Sequence, residues 1–303
     1  MPKDMSILQI RTLTSSAPIY DIAQSLSLPI HPIPTFTGWQ PPSPIDLIIA
    51  VSFGLLVPPR ILSHARCGGL NVHPSLLPDL PGPAPIHWAL LNHDQHSGIT
   101  LQTLHPSRFD QGSIISQTPK PGIPIPSTLK AATQLLGQAG AQILVESIRS
   151  GSFATPPPSP REQPSHPIRH APKLTPAAAQ LSKSWSGKDV LIRANVTGPL
   201  WDPSTLAALS SSSSSIRTQY DNWTDASAFV DRAAFDNARI GMEAGYEGPD
   251  VALLRLRDGN EGEQARLVFR AADGALLAPG SVKVEGSVWK PVERAVGRYL
   301  RST

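Results

Sequence analysis

The chain has 303 residues, a formal net charge of +3, 33 prolines and a single cysteine, Cys67. That length fits one large domain or two ordinary ones, and no apolar run reaches the roughly 18 residues that a membrane-spanning helix needs. One cysteine excludes a disulfide framework within the chain and a zinc site built from several cysteines. Since only 16% of the residues are charged, the composition does not indicate a strong nucleic-acid binder.

The first half of the chain alternates predicted strands with predicted helices. We expect strands over 46–52, 69–73, 98–104 and 113–117, and helices over 17–28, 85–92 and 127–150. The first of these strands is an unbroken apolar run, which predicts a strand buried on both faces. Strands alternating with helices are typical of an α/β domain, here with a doubly wound, mostly parallel, Rossmann-like sheet.

The second half has a different pattern. The proline-rich stretch 151–169 predicts a linker between a first domain, 1–150, and a second domain, 170–303. Beyond the linker, short strands predict a small antiparallel β domain with an open, barrel-like (OB-like) form; they cover 251–257, 265–270 and 276–284. A run of serines predicts a disordered insertion near 203–222.

The segment with the clearest chemistry is Asn71-Val72-His73, with Asp110-Gln111-Gly112 further along the chain. Two residues that stand two apart on a strand point to the same face, and both lie near the exit of a predicted strand. An amide can donate to a developing oxyanion, and a carboxylate favours the protonated form of a nearby imidazole. No serine or cysteine nucleophile is required, so the attacking group would come from a substrate. The same residues also fit a turn beside a surface histidine.

The run that starts NVHPSLLPDLPGPAPIHW at Asn71, with FDQGSII from Phe109, resembles the folate-dependent formyltransferase family. This resemblance implies that Asn71, His73 and Asp110 are catalytic and that 10-formyltetrahydrofolate is the donor. The other histidines are scattered and lack the spacing of metal ligands, so we expect no metal site. The residues GPAPI and the later HAPKLT are similar to the family members that act on tRNA. Pro81 departs from those members, which usually carry an arginine at this place.

The resemblance also implies two sets of binding residues. The donor site would involve Phe53, Leu55, Leu56, Val57 and Asp110. The acceptor site would involve Ser75, Leu76, Leu77, Pro78, Gly82 and Lys173. Ordinary core packing is the alternative interpretation for Leu55 and Leu56, and a solvated surface position is the alternative for Lys173.

For the whole chain, the resemblance implies formyl transfer to the amino group of methionyl initiator tRNA during translation initiation. It also implies a monomer in the mitochondrial matrix, with no membrane contact. Two alternatives stay open: a formyltransferase acting on another amine, such as a nucleotide-linked one, and an inactive or fragmentary RNA-binding homologue. The second arises because the family usually opens with a strand, a turn, a helix and another strand. We find no counterpart of these ahead of the segment 10–28 and therefore expect a chain that is incomplete at its N-terminus.

Overall fold

A computed structural model of the protein describes residues 10–12, 18–32, 35–41, 45–154, 167–203, 205, 217–240, 248–257 and 263–296. Contacts between residues divide the chain into two compact units, 1–173 and 174–303. Most of the predicted linker and the serine run of the predicted insertion lie outside the described residues, so both stay predictions. The C-terminal part of the predicted insertion range belongs to a strand that starts at Thr218.

The first unit contains short strands and helices that flank a four-stranded sheet. In chain order they are β1 (Ile10–Thr12), α1 (Pro18–Ser25), β2 (Ile30–Pro32), β3 (Ile48–Val51), α2 (Pro59–Leu62), β4 (Gly69–His73), α3 (Pro85–Leu91), β5 (His96–Ser97), β6 (Thr100–Thr103), β7 (Ile114–Gln117), β8 (Ile123–Pro124) and α4 (Leu129–Ser150). The central sheet has the order β3-β4-β6-β7, while β1 pairs with β2 and β5 with β8. The predicted α/β class and the predicted elements of this half are confirmed.

The expectation of a mostly parallel sheet is wrong for these four strands. β3 and β4 pair in parallel, but β4 pairs with β6 and β6 with β7 in antiparallel directions. The connection from β6 to β7 holds no helix, and a parallel neighbour would need a longer crossover. The apolar pattern of a strand carries no information about the direction of that strand.

The expectation that β3 is buried on both faces is also wrong. Ile49 and Val51 are 37% and 55% exposed, while Ile48 packs on a cluster around Phe36 and Ile61. In the described part of the chain, β3 lies at the edge of its sheet, with β4 as its partner. Its pattern of exposure therefore follows the pleat, with one covered face and one open face.

The helix α4 supports the strand that carries the candidate site. The Thr128 side chain caps it by accepting from the Ala131 N–H at 3.4 Å. Its residue Leu136 is buried against Leu70 and Val72 of β4. Burial of a leucine side chain stabilises a fold by about 1.5–3 kcal/mol, so this contact fixes β4 firmly.

The second unit is mainly an antiparallel sheet. It contains α5 (Gly187–Thr197), β9 (Leu200–Asp202), β10 (Thr218–Asp225), α6 (Arg232–Asn237), β11 (Asp250–Arg257), β12 (Glu263–Arg270), β13 (Leu276–Val284), β14 (Lys290–Pro291) and α7 (Val292–Val296). The strand order is β11-β12-β13-β10-β9, with β14 on β13. Among the described strands, β11 and β9 do not pair, so no closed barrel is found. Within the described ranges, no helix is both long and apolar enough to cross a bilayer.

Candidate active site

Asn71 and His73 lie on β4, and their side chains meet Asp110 from the loop between β6 and β7. The Nδ2 of Asn71 donates to Oδ1 of Asp110 at 3.2 Å, and Nδ1 of His73 lies 3.3 Å from the same oxygen. The His73 and Asp110 side chains are only 5% and 7% exposed. The structure thus brings the three predicted catalytic residues into one buried cluster.

The backbone around Asp110 explains why a glycine follows two residues later. Asp110 has a φ of 54°, in the left-handed region that aspartate tolerates better than most residues. A Cβ atom at Gly112 would lie 1.6 Å from the Thr103 carbonyl oxygen on β6. The loop therefore packs against β6 at a distance that only glycine permits, and this contact holds Asp110 at the end of the sheet.

Two further residues, Gln102 and Gly82, donate to the Asp110 carboxylate. Sequence analysis did not identify Gln102. The Gln102 side chain is 1% exposed, and its Nε2 donates to Oδ1 at 3.1 Å. The Gly82 N–H donates to Oδ2 at 2.9 Å. Gln102 lies directly opposite Asn71 in the register of β4 and β6, where paired side chains share one face. The register between two strands cannot be determined from one sequence, so no sequence pattern indicated that Gln102 belongs to the site.

These contacts decide the charge of Asp110. Burial by itself raises the pKa of the carboxyl, but the hydrogen bond and the charge of His73 lower it. The Gly82 N–H and Gln102 lower it further, and the resulting pKa lies below the ordinary aspartate value. Asp110 is therefore ionised at neutral pH although it is almost completely buried.

The His73 ring is held from both sides by acceptors. Its Nδ1 faces the Asp110 carboxylate, and its Nε2 lies 3.0 Å from the Leu80 carbonyl oxygen. A carbonyl and an ionised carboxylate accept hydrogen bonds and cannot donate them. The ring can donate to both acceptors at once only when both nitrogens carry hydrogen. The predicted role of His73 as a protonated imidazole stays a prediction.

The predicted acceptor residues that follow His73 form a tight loop. The Ser75 hydroxyl donates to the Asp79 carbonyl at 2.7 Å, and the Leu77 N–H donates to the Thr100 hydroxyl at 3.0 Å. Ser75 and Leu77 are buried, and the peptide bond between Leu77 and Pro78 is cis. Leu76 and Pro78 are half-buried. The prediction that these residues contact a substrate stays a prediction, since their visible contacts shape the loop.

The predicted donor residues lie on the loop after β3. Phe53 packs on Phe36 with ring centroids 5.8 Å apart, and Val57 is buried in the same cluster. Leu55 and Leu56 line an open pocket, together with Thr35, Phe36, Thr37, Pro58 and Arg60. Leu55 also packs on this cluster, as the alternative interpretation expected. The prediction that these residues bind the donor stays a prediction.

Lys173 is exposed and is the last residue of the first unit. The structure shows no contact that tests its predicted role at the acceptor site. In the portion of the chain that is described, no group of three or more His, Cys, Asp or Glu side chains is arranged to hold a metal ion.

Part of the chain is similar to known proteins. Residues 41–148 match the sequence profile of the formyl transferase family. The mitochondrial methionyl-tRNA formyltransferase of Saccharomyces cerevisiae is 42% identical over 127 residues, which cover 36% of this chain and 31% of that protein. The mitochondrial enzyme of the same name from Bos taurus is 32% identical over 183 residues, or 57% of this chain and 43% of that protein.

A bacterial relative and a solved structure extend the comparison. The methionyl-tRNA formyltransferase of Chlorobium chlorochromatii is 32% identical over 165 residues, covering 53% of this chain and 51% of that protein. The chain therefore spans about a third to a half of the length of these curated relatives. The structure of HypX from Aquifex aeolicus in complex with tetrahydrofolic acid has a TM-score of 0.58 at 15% identity and covers 97% of this chain and 47% of that chain. That likeness shows a common fold.

Proposed function

Because residues 41–148 form a domain of the formyl transferase family, we propose that the chain transfers a formyl group from 10-formyltetrahydrofolate to the amino group of methionyl initiator tRNA. The observation that carries this proposal is the buried cluster of an amide, an imidazole and an ionised carboxylate around Asp110. Relatives named methionyl-tRNA formyltransferase support the choice of acceptor.

The proposed reaction begins when the neutral amine attacks the formyl carbon. A new C–N bond forms, and the carbonyl oxygen becomes an oxyanion. Asn71 has two amide hydrogens; one binds Asp110, and the other can donate to this oxyanion. A protonated His73 stabilises the oxyanion through its positive charge, since its two ring nitrogens face Asp110 and the Leu80 carbonyl. When the intermediate collapses, the bond from the formyl carbon to N10 of the folate breaks. The proton of the amine passes to N10 through water positioned by Asp110.

Asp110 has the task of keeping His73 cationic and correctly oriented. The two side chains are buried, so their interaction is weakly screened by solvent. Gln102 and Asn71 fix the same carboxylate oxygen, which leaves the carboxylate little freedom to turn. Preorganised donors of this kind stabilise a transition state without reorganisation during the reaction.

In this proposal, the substrates bind at the residues that were predicted to contact them. The pterin ring lies against Leu55 and Leu56, with Phe53 and Val57 supporting their loop, and Asp110 marks the reacting end of the folate. The loop from Ser75 to Gly82 borders the acceptor amine. We also propose that Lys173 contacts the acceptor and that the second unit, as an open, barrel-like domain, binds tRNA. We further propose that the protein is a monomer and that it is mitochondrial. The names of the yeast and cattle relatives support the mitochondrial location.

The proposal is tested by Asn71→Ala in the full chain, with Asn92→Ala as a matched control. Asn92 is an exposed residue at the end of α3, away from Asp110. Loss of one oxyanion donor costs about 100-fold to 1,000-fold in kcat, so we expect a loss of at least 100-fold in Asn71→Ala and none in the control. Unchanged turnover in Asn71→Ala would refute the assigned chemistry.

A further inference from the structure

Two segments that are far apart in sequence lie together beside the candidate active site. We call residues 79–84 the site loop and residues 167–173 the strap. Three main-chain hydrogen bonds join them: Leu80 N–H to the Arg169 carbonyl at 2.8 Å, Ala171 N–H to the Pro81 carbonyl at 2.8 Å, and Ala84 N–H to the Ala171 carbonyl at 3.1 Å. The strap therefore pairs with the site loop much as one strand pairs with another.

The Arg169 side chain stabilises the pairing of the strap with the site loop. Its Nε and Nη2 donate to Oδ2 of Asp79 at 3.2 and 2.5 Å, and its Nη1 donates to Asp94 at 2.8 Å. The Arg169 side chain is 43% exposed, but the side chains of Asp79 and Asp94 are only 20% and 19% exposed. A guanidinium that bridges two partly buried carboxylates forms a charged network, which is stronger than a single surface ion pair.

Packing reinforces the same contact. Ala171 is completely buried, where it packs with Leu80 and Ala89. The indole N–H of Trp88 donates to the Pro172 carbonyl at 2.8 Å. At Gly82, whose φ is 125°, a Cβ atom would lie 2.5 Å from the Ala171 carbonyl oxygen. The strap thus packs directly against Gly82, the residue whose N–H donates to Asp110.

The site loop supplies two main-chain groups to the catalytic cluster. The Leu80 carbonyl accepts from Nε2 of His73 at 3.0 Å, and the Gly82 N–H donates to Oδ2 of Asp110 at 2.9 Å. Leu80 is thus hydrogen-bonded to the strap directly, and Gly82 follows Pro81, which is also bonded to it. Leu80 and Gly82 each contact a catalytic side chain as well. A shift of the strap would move both contacts together.

We propose that the strap is a positioning element of the active site and that Arg169 is its positioning residue, acting on His73 and Asp110 through the site loop. The inference rests on the proposed formyl transfer for its kinetic consequence, but its structural consequence does not depend on that reaction. It also means that the end of the predicted linker and the residues just after it, 167–173, take part in the catalytic unit. These residues belong to the first unit, which runs to Lys173.

The test compares Arg169→Ala and Arg169→Lys with the matched control Arg66→Ala, all in the full chain. Arg66 forms an exposed ion pair with Asp46 at 2.8 Å in the same unit, away from the site loop. Hydrogen exchange is measured by mass spectrometry on peptides from the site loop, from β4 and from β6. We expect Arg169→Ala to speed exchange in the site loop about tenfold, with β4 and β6 unchanged. Arg169→Lys should restore part of the protection.

Kinetics supply the second measurement. A small displacement of catalytic groups is costly, so we expect kcat in Arg169→Ala to fall about tenfold. The acid limb of the pH profile should move to higher pH, because withdrawal of the Gly82 N–H raises the pKa of Asp110. Unchanged exchange in the site loop, or faster exchange spread equally over β4 and β6, would overturn the proposal. If the unmodified chain transfers no formyl group, the proposed function fails, while the exchange experiment still decides the role of the strap.

Discussion

Replacement of Asp110 by asparagine is the perturbation for which the structure gives the clearest magnitude. The carboxylate receives N–H groups from four residues: Asn71, His73, Gln102 and Gly82. An amide keeps one oxygen and turns the other position into a donor. Whichever way the asparagine is oriented, its NH₂ group faces at least one buried N–H that it cannot satisfy.

The cost follows from these contacts. An unsatisfied buried donor costs about 1–3 kcal/mol, and loss of one partner of a buried charged pair costs about 3–5 kcal/mol. We therefore expect Asp110→Asn to lower the free energy of unfolding of the first unit by about 3–5 kcal/mol at neutral pH. Hydrogen exchange of the slowest amides in β4 and β6 measures this free energy.

The loss of unfolding free energy in Asp110→Asn should also depend on pH, which provides a second test. The pKa of folded Asp110 lies below its ordinary value, so its stabilising effect is fully present above the pKa of an unfolded aspartate, about 4. That effect is lost as the pH falls through the lower, folded pKa. The difference in the free energy of unfolding between the wild type and Asp110→Asn should therefore be constant near neutrality and should become smaller below about pH 4.

The control for this experiment is Asp46→Asn, which removes the carboxylate of an exposed ion pair with Arg66. Exposed pairs contribute little to stability, so we expect no resolved change in the exchange of β4 and β6. If Asp110→Asn destabilised the first unit no more than Asp46→Asn does, the claim that four donors converge on an ionised Asp110 would be refuted.

Two further predictions concern the neighbours of Asp110. Gly112→Ala places a Cβ atom 1.6 Å from the Thr103 carbonyl oxygen, so thermal unfolding should show a loss of about 2–3 kcal/mol; an unchanged midpoint would contradict the close packing of this loop. Gln102→Leu removes a donor from Asp110, and steady-state kinetics should show kcat reduced about tenfold, with Gln95→Leu at an exposed position as the control. Equal kcat values for these two variants would show that Gln102 does not position Asp110.

The parts of the fold that were predictable from the sequence depend on local patterns. The apolar positions around Leu70 and Leu136 indicate β4 and α4 directly, since burial follows the strand or helix period. Strand direction in the sheet was not predictable, because parallel and antiparallel neighbours produce the same apolar run. The exposure of Ile49 and Val51 was missed for a related reason, since it depends on what covers the strand.

In the candidate site, too, the residues placed by a local pattern were predictable, and those placed by contacts between distant segments were not. Asn71 and His73 share one strand, so their common face could be inferred from a spacing of two residues. Asp110 was identified through a resemblance that joins it to them. Gln102 and Arg169 were not predicted, because each acts through a pairing between segments that are distant in sequence. Such pairings exist only in the folded chain.

The central claim is that the cluster around Asp110 transfers a formyl group to methionyl initiator tRNA. The most direct measurement incubates the purified 303-residue chain with isotopically labelled 10-formyltetrahydrofolate and charged initiator tRNA, in competition with small nucleotide-linked amines. Mass spectrometry then identifies which amine carries the label. We predict labelled formyl-methionyl-tRNA as the main product, and its loss in Asn71→Ala. Label on another amine, or no label transferred under conditions in which a relative such as the yeast enzyme transfers it, would contradict the account.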